Sequence, residues 1–377
     1  MNYWRLSGFY LFYFATLGAL VPYWNLYLRS LDFGVTEIGE LTAILMATKI
    51  VAPYVWGWIA DHTGRRIAIV RMASLLAALA FAGVFAGRGY WWLAFVMTAF
   101  SFFWNASLPQ LEATTMNHLG SETRHYSRIR LWGSVGFILT VAGLGPLLDR
   151  YGAGLLPAVL LALFTAIWLS SLAVPESAAD HGKPVQEPLR RVLGRPMVVS
   201  LFSICFLVQA SHGPYYTFFT IYLENFGYSR TSIGQLWALG VFAEIGIFML
   251  MPRLLSRFGA RQLLLIATGL TSLRWLMIAV FPMHVVLIGL AQTLHAGSFG
   301  LYHAVSIHLV HRLFTGIHQG RGQALYSSVS FGAGGAAGSL ASGYLWEGLG
   351  PEPMFLLAAV VSLMALGVAY HGIRGES

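Results

Sequence analysis

Charge is scarce in this sequence: only 10% of its 377 residues are Asp, Glu, Lys or Arg. A water-soluble chain of that length carries far more polar surface, so the shortage excludes an ordinary soluble enzyme or binding domain. Cysteine is nearly absent. The single one, Cys205, sits inside an apolar run, which leaves no disulfide framework and no cysteine-based zinc site to consider. Long polar stretches are missing apart from 175–196, and a chain this apolar does not stay disordered. The residue-by-residue alternation of an outer-membrane barrel strand is also lacking. No small-residue cleavage site follows the first apolar run, which begins near Leu6 and passes Leu20; its length reads as a membrane helix, not as the core of a signal peptide.

What is present is apolar. Hydrophobic residues make up 57% of the chain and glycine adds 41 residues, together roughly two thirds of it. Twelve helices of about 20 residues use about 240 residues, which this supply matches with short loops between. Hydropathy windows predict membrane helices near 6–28, 38–59, 67–86, 91–115, 129–148, 154–173, 198–222, 232–251, 262–281, 284–309, 321–343 and 353–370. The expected fold class is an all-α membrane protein of 12 transmembrane helices. Residues 1–174 form an N-terminal six-helix bundle, 175–197 a central loop with Lys183, Arg190, Arg191 and Arg195, and 198–377 a C-terminal six-helix bundle.

The formal charge is +8, from 23 Lys and Arg against 15 acids, a balance that suits a nucleic-acid surface only if the cations cluster on soluble elements. Their positions give a different reading. Seventeen fall on the termini and on the loops after even-numbered helices, among them Arg5, Arg65, Arg71, Arg124, Lys183 and Arg374. The opposite loops carry Arg29, Arg88, Arg150 and Arg230, beside acids such as Asp32, Glu37, Asp149 and Glu352. Lysine and arginine are retained on the cytoplasmic side during insertion, so both termini are expected in the cytoplasm. The charge is a topology signal, and no nucleic-acid partner is implied.

The two halves are related. Displacing the sequence by 195 residues superimposes Gly18 on Gly213, Tyr27-Leu28 on Tyr222-Leu223, Ile38-Gly39 on Ile233-Gly234, Gly64 on Gly259 and Arg66 on Arg261. After the second predicted helix the chain reads Gly57-Trp58-Ile59-Ala60-Asp61-His62-Thr63-Gly64-Arg65-Arg66. Gly64 permits a tight turn, Asp61 is spaced to accept from Arg65 four residues on, and the basic pair suits the cytoplasmic face. This segment resembles the signature loop of the major facilitator superfamily. Two parallel six-helix repeats are that superfamily's architecture, with its substrate site between the halves near the bilayer midplane. The resemblance implies that Gly57, Asp61, Gly64, Arg65 and Arg66 form a gating motif that breaks and reforms during transport. The second copy has Ser256 where Asp61 would stand, so one charged gate and one degenerate gate are expected.

Lys49, Glu112, Glu244 and Arg274 fall inside predicted spans, and Arg130 at the edge of one. A charge near the bilayer centre costs roughly 2.5–3.5 kcal/mol, so these side chains must face one another or a wet cavity. Any one of them alone also fits a packing ion pair. Glu112 and Arg130, eighteen residues apart, flank Ser121 symmetrically, which places them at similar depth in a hairpin. Arg130 alone reads as a snorkelling side chain; with Glu112 it reads as a substrate ligand. The spacing is similar to that of the acid and arginine that bind substrate in lactose permease.

In the C-terminal half, Arg274 and His295 resemble the ninth- and tenth-helix positions of that permease that take part in proton coupling. The pattern departs at Ser298, which stands where that family's protonated acid would be, and at Gln209 and Gln292, near which its Asp/Lys pair is replaced by neutral groups. Glu244 is then the one carboxylate deep in this half. A desolvated carboxyl holds its proton, and a nearby guanidinium competes to release it. Glu244 is therefore the expected proton carrier, Arg274 the competing cation and His295 the hydrogen-bond relay. Lys49 is the counterpart of Glu244 at the 195-residue offset; it either neutralises Glu244 across the cavity or binds a substrate carboxylate. His212 and Tyr216 lie on a segment broken by Gly213 and Pro214, where freed backbone groups line cavities. For Tyr216 and the other aromatics, packing or an interface belt is the competing reading. Lys49, Glu112, Arg130, Gln209, His212 and Tyr216 make up the expected substrate-binding set. His308 and His311 are three apart with no carboxylate partner, so no metal site is expected. Gly334, Gly338 and Ser342 recur every four residues, a close-packing face.

Nearly end to end, the chain is similar to the 3-phenylpropionate transporter family of bacterial inner membranes. The similarity runs through Arg130-Leu131-Trp132-Gly133-Ser134-Val135, Gln209-Ala210-Ser211-His212, Leu239-Gly240-Val241-Phe242-Ala243-Glu244, Arg274-Trp275 and Leu294-His295. It implies an inner-membrane symporter that takes up an aromatic carboxylate with protons, as a monomer in the lipid bilayer and with no cofactor beyond the coupling ion. Sugar or nucleoside symport, and drug or metabolite efflux by antiport, fit the same residues. An enzyme is not expected, because no nucleophile–base constellation appears.

Overall fold

The computed structural model describes residues 3–119, 125–176, 188–316 and 318–373; Ser121, Arg124, Lys183 and Arg374 lie outside them. The described chain is helical with short connections, and no strand occurs in it. Its first helices are α1 (Tyr3–Arg29), α2 (Val35–Thr63), α3 (Arg66–Ala82), α4 (Tyr90–Leu119), α5 (Tyr126–Tyr151) and α6 (Leu156–Leu172). A short α7 (Leu189–Leu193) precedes α8 (Pro196–Ser211), α9 (Gly213–Asn225) and α10 (Arg230–Val280). The chain continues as α11 (Val285–Thr293), α12 (Tyr302–Leu313), α13 (His318–Ser327), α14 (Gly335–Leu349) and α15 (Pro351–Gly372).

Ten helical segments among the described residues are long and apolar enough to cross a membrane. Two expected spans are not separate among the ten. The eighth and ninth merge in α10, where Gly259 alone breaks the helical geometry with φ 71° and ψ 162°; a glycine in that region redirects the chain without a loop. The eleventh is divided by a π-helical turn, Ser328–Gly334, into α13 and α14. A second π turn, Ala296–Leu301, separates α11 from α12. Such turns are rare and gather at functional sites. The expected seventh helix breaks at His212, between α8 and α9, because Pro214 lacks an N–H and its ring clashes with the preceding turn.

The contacts divide the chain into two compact units, one of Met1–His181 with Tyr228–Ala238 and one of Gly182–Gly227 with Leu239–Ser377. In the first, α1 packs on α5 and α6, α3 on α4 and α6, and α2 on α4. Glycine sets the closest approach: a Cβ at Gly18 would strike the Phe137 carbonyl, and one at Gly136 the Leu11 carbonyl. The start of α10 belongs to this unit through Asp149, whose carboxylate accepts the backbone N–H groups of Arg230 and Thr231, each at 2.9 Å. A carboxylate there satisfies orphan donors and complements the helix dipole. In the second unit α15 packs on α8, and α14 on α8 and α9. Cβ atoms at Gly334 and Gly338 would meet the carbonyls of Phe206 and Ala210, so this small-residue face packs tightly as its spacing predicts. Gly213 lies against Gly338, so Gly18 and Gly213, 195 residues apart, serve the same purpose in their own units.

Candidate functional site

Arg274 is the most deeply buried charge in the second unit, with no exposed surface. Its Nε donates to the Ala291 carbonyl at 3.0 Å, and its Nη2 to Gln292 Oε1 at 3.3 Å. Nη1 donates to Ser298 Oγ at 3.2 Å and to His295 Nδ1 at 2.8 Å. The guanidinium carbon lies 4.1 Å from the Tyr215 ring centroid and 4.7 Å from that of Trp275, where the ring quadrupoles attract a cation. The planar fork thereby joins α10 to α9, α11 and the π turn after α11, which a point charge on a flexible stem could not do.

His295 connects this cation to Glu244. Its Nε2 stands 2.6 Å from Glu244 Oε1, and its Nδ1 faces Arg274. A guanidinium has donors only, so Nδ1 accepts; the ring's proton then sits on Nε2 and is donated to the carboxylate. A second proton on the imidazole would have to displace Arg274. Gly300, in the π turn, makes the room: a Cβ there would stand 3.2 Å from Glu244 Cγ. Glu244, Arg274 and His295, named separately from sequence, form one connected group.

Gln209, His212 and Tyr216 divide in placement. His212 Nδ1 donates to the Val208 carbonyl at 2.8 Å, so in the neutral ring Nε2 holds the lone pair. The His212 ring stacks on Tyr216 at 5.7 Å, meets Trp275 edge-on at 4.8 Å and lies 6.4 Å from the His295 ring. Tyr215 donates its hydroxyl to Gln292 Oε1 at 2.8 Å. Gln209 instead faces Gly334 on the π turn Ser328–Gly334. Nε2 of His212, Nε2 of Gln209 and Nε2 of Gln292 are buried without a hydrogen-bond partner. Each such orphan costs about 1–3 kcal/mol.

In the first unit the hairpin brings Glu112 and Arg130 together, with Arg130 Nε 3.4 Å from Glu112 Oε1. Tyr126 donates its hydroxyl to the same oxygen at 3.4 Å. The Arg130 guanidinium also lies over Phe14 at 4.1 Å and Tyr10 at 5.5 Å, an aromatic seat that a purely snorkelling arginine would not need. Lys49 is half-buried on α2, with Nζ 3.6 Å from Met46 Sδ. Beside it Thr48 donates to Ser101 and accepts from Asn105, a polar seam between α2 and α4.

The signature loop corrects one expectation. Asp61 pairs with Arg66, Nη2 to Oδ1 at 2.8 Å, and not with Arg65. Gly64 ends α2 at φ 65°, and Arg65 follows at φ −113°, ψ 69° as the residue before α3. That geometry leaves Arg65 exposed and lets Arg66, the first residue of α3, reach back to Asp61 and on to Gln110 Oε1 at 2.8 Å. No described atom would meet a Cβ at Gly57. In the second copy Arg261 donates to the Tyr370 carbonyl at 3.0 Å, a contact to a helix end in place of an acid.

Several residues at these sites carry no mark in the sequence: Tyr10, Phe14, Gln110 and Tyr126 in the first unit, and Phe299, His303 and Tyr326 in the second. With 14% of the chain aromatic, a single ring at a site looks like any other. The one available signal was the four-residue spacing of His295, Phe299 and His303. Among the described residues no group of three His, Cys, Asp or Glu side chains could hold a metal ion.

The sequence profile of the MFS_1 like family matches residues 3–357. A probable 3-phenylpropionic acid transporter of Escherichia coli (strain K12) is 29% identical, with 96% of each chain covered. A maltose permease of Geobacillus stearothermophilus is 27% identical, over 95% of this chain and 91% of the relative. Among solved structures, the nucleoside transporter NupG superposes with a TM-score of 0.83 at 16% identity, covering 99% of both chains, which shows a shared fold. The chain therefore belongs to the MFS_1 like family, as a multi-pass membrane transporter of small molecules of the major facilitator type and not an enzyme.

Proposed function

We propose that this transporter is a proton-coupled symporter that imports a small organic solute by alternating access, and that the solute is an aromatic carboxylate such as 3-phenylpropionate. The proposal has twelve spans in two six-helix halves, 1–174 and 198–377, joined by a cytoplasmic loop at 175–197, with both termini cytoplasmic. The protein works as a monomer in a bacterial inner membrane, with the proton as coupling ion and no other cofactor.

One observation carries the reading: His295 bridges Glu244 and Arg274 in a buried site. With the carboxylate ionised, the group has no net charge. Protonating Glu244 leaves Arg274 uncompensated, and a solute carboxylate restores neutrality. Empty and doubly loaded states are then neutral, whereas a state carrying only the proton or only the anion places a net charge in the membrane, which is costly. Proton and anion therefore move together. Arg130, Glu112 and Lys49 are the proposed substrate-binding residues of the first unit, and the relative named a probable 3-phenylpropionic acid transporter supports the choice of solute.

A second reading has its own support. The unpartnered nitrogens of Gln209, His212 and Gln292 offer both donors and an acceptor, the chemistry of a hydroxyl-bearing sugar or nucleoside. Uptake of labelled 3-phenylpropionate, a galactoside and a nucleoside into proteoliposomes under an imposed proton gradient decides between them. Accumulation of the aromatic acid alone is the expected result. Accumulation of a galactoside or nucleoside instead selects the second reading, and proton-driven expulsion from inverted vesicles selects efflux by antiport.

A further inference from the structure

Three rings at four-residue spacing run from the buried acid toward the C-terminal end of α12. His295 and Phe299 lie face to face, centroids 5.3 Å apart and planes 10° apart. Phe299 and His303 repeat the arrangement at 5.8 Å and 2°. Residues four apart on a helix lie on one face; these three run along the π turn Ala296–Leu301 and into α12. Phe331, on the other π turn, packs on Phe299 at 6.1 Å and on His303 at 5.9 Å. Phe299 is thus held between two imidazoles and backed by a third ring. Beyond it, His303 Nδ1 lies 2.8 Å from the Tyr326 hydroxyl. Exposure rises along the same line: Glu244 and His295 are buried, while Phe299 and His303 are partly open.

A phenyl ring passes no proton, yet this one stands between His295, the partner of Glu244, and His303. We propose that Phe299 is a plug in the proton path, and that His303 with Tyr326 is the exit station beyond it. The proposal rests on the reading of Glu244 as proton carrier and adds the route by which the proton leaves. When the Phe299 ring turns aside, water reaches Glu244. The carboxyl O–H bond breaks, its proton passes to water, and that water gives a proton to a lone-pair nitrogen of His303. Glu244 is left as a carboxylate and His303 as an imidazolium, which returns the proton to water on the open side. The titratable and charged groups around the station include Tyr326 on α13, Tyr302 on α12 with Cys205 of α8 behind it, Tyr216 on α9, and, across Phe299, His212, His295, Glu244 and Arg274. In the closed position the plug stops protons from crossing without solute, which would waste the gradient.

The test uses the full-length protein in liposomes loaded with a pH-sensitive dye, with a pH gradient imposed and no solute present. The wild-type protein holds the gradient. Phe299→Ala is expected to raise proton flux by about tenfold, and adding His303→Phe returns it to the wild-type level. A Phe299→Ala protein that melts like wild type and still holds the gradient overturns the plug, as does a leak that His303→Phe leaves unchanged. His303→Gln alone keeps the Phe299 packing, and is expected to slow proton-driven uptake about tenfold more than solute exchange; equal effects on both contradict the exit station. Adding Glu244→Gln to Phe299→Ala separates this proposal from the reading beneath it. A leak that survives Glu244→Gln but stops with His303→Phe keeps the plug and removes Glu244 as the carrier.

Discussion

His295 engages Glu244 and Arg274 at once, through Nε2 at 2.6 Å and Nδ1 at 2.8 Å. The bond from Arg274 orders the whole chain, since an arginine that only donates leaves the imidazole one nitrogen with which to donate onward. An acid and a cation that would each be costly alone are held apart yet electrically linked, and losing any member leaves a neighbour with an unmet bond.

Replacing the bridge tests that order. His295→Phe is expected to lower uphill uptake in proteoliposomes by about a hundredfold. His295→Gln, whose amide still presents one acceptor and one donor, retains a larger share. Equal loss in the two variants contradicts an ordered bridge.

Arg274 is held by its planar fork as much as by its charge. Arg274→Lys keeps the charge but cannot reach Ala291, Gln292, His295 and Ser298 together. A loss of about 2 kcal/mol or more is expected, read as a lowered melting temperature of the purified protein in detergent. An unchanged melting temperature contradicts the structural part of this account.

The signature loop gives a clean contrast between neighbouring arginines. Asp61→Asn is expected to slow transport while leaving the melting temperature near wild type, because the Asp61 side chain is 68% exposed; Arg66→Ala is expected to slow transport and also to lower the melting temperature, because buried Gln110 loses its donor. Arg65→Ala leaves transport close to wild type. A larger defect for Arg65→Ala than for Arg66→Ala reverses the pairing described above.

Glycines separate in the same way. Gly338→Val forces a side chain into the Ala210 backbone and is expected to cost about 1–3 kcal/mol, whereas Gly57→Ala meets open space and changes stability little. Thermal melting of both variants checks this, and similar stabilities contradict the packing of α8 against α14.

Much of this was legible in the sequence, for physical reasons. Membrane spans announce themselves because lipid tolerates little besides apolar side chains, and intramembrane charges stand out against that background. Glu244 and Arg274 stand out in that way, as does the Glu112–Arg130 hairpin, whereas His295 is marked by the resemblance to lactose permease. The break at His212 followed from Gly213 and Pro214. What escaped depended on local geometry or on neutral rings. Asp61 takes Arg66 because Gly64 and Arg65 depart from helical geometry, whereas counting four residues on from Asp61 assumes an unbroken helix. The π turns leave no signature beyond their glycines, and the four-residue spacing of His295, Phe299 and His303 does not say which way their rings lie.

The most direct test of the central claim is solute accumulation by Glu244→Gln in proteoliposomes with an imposed proton gradient, measured beside solute exchange without one. Loss of accumulation with persisting exchange is the predicted result, because the amide mimics a permanently protonated acid that can load solute but cannot release the proton. Full accumulation against a concentration gradient contradicts the assignment of Glu244 as the proton carrier.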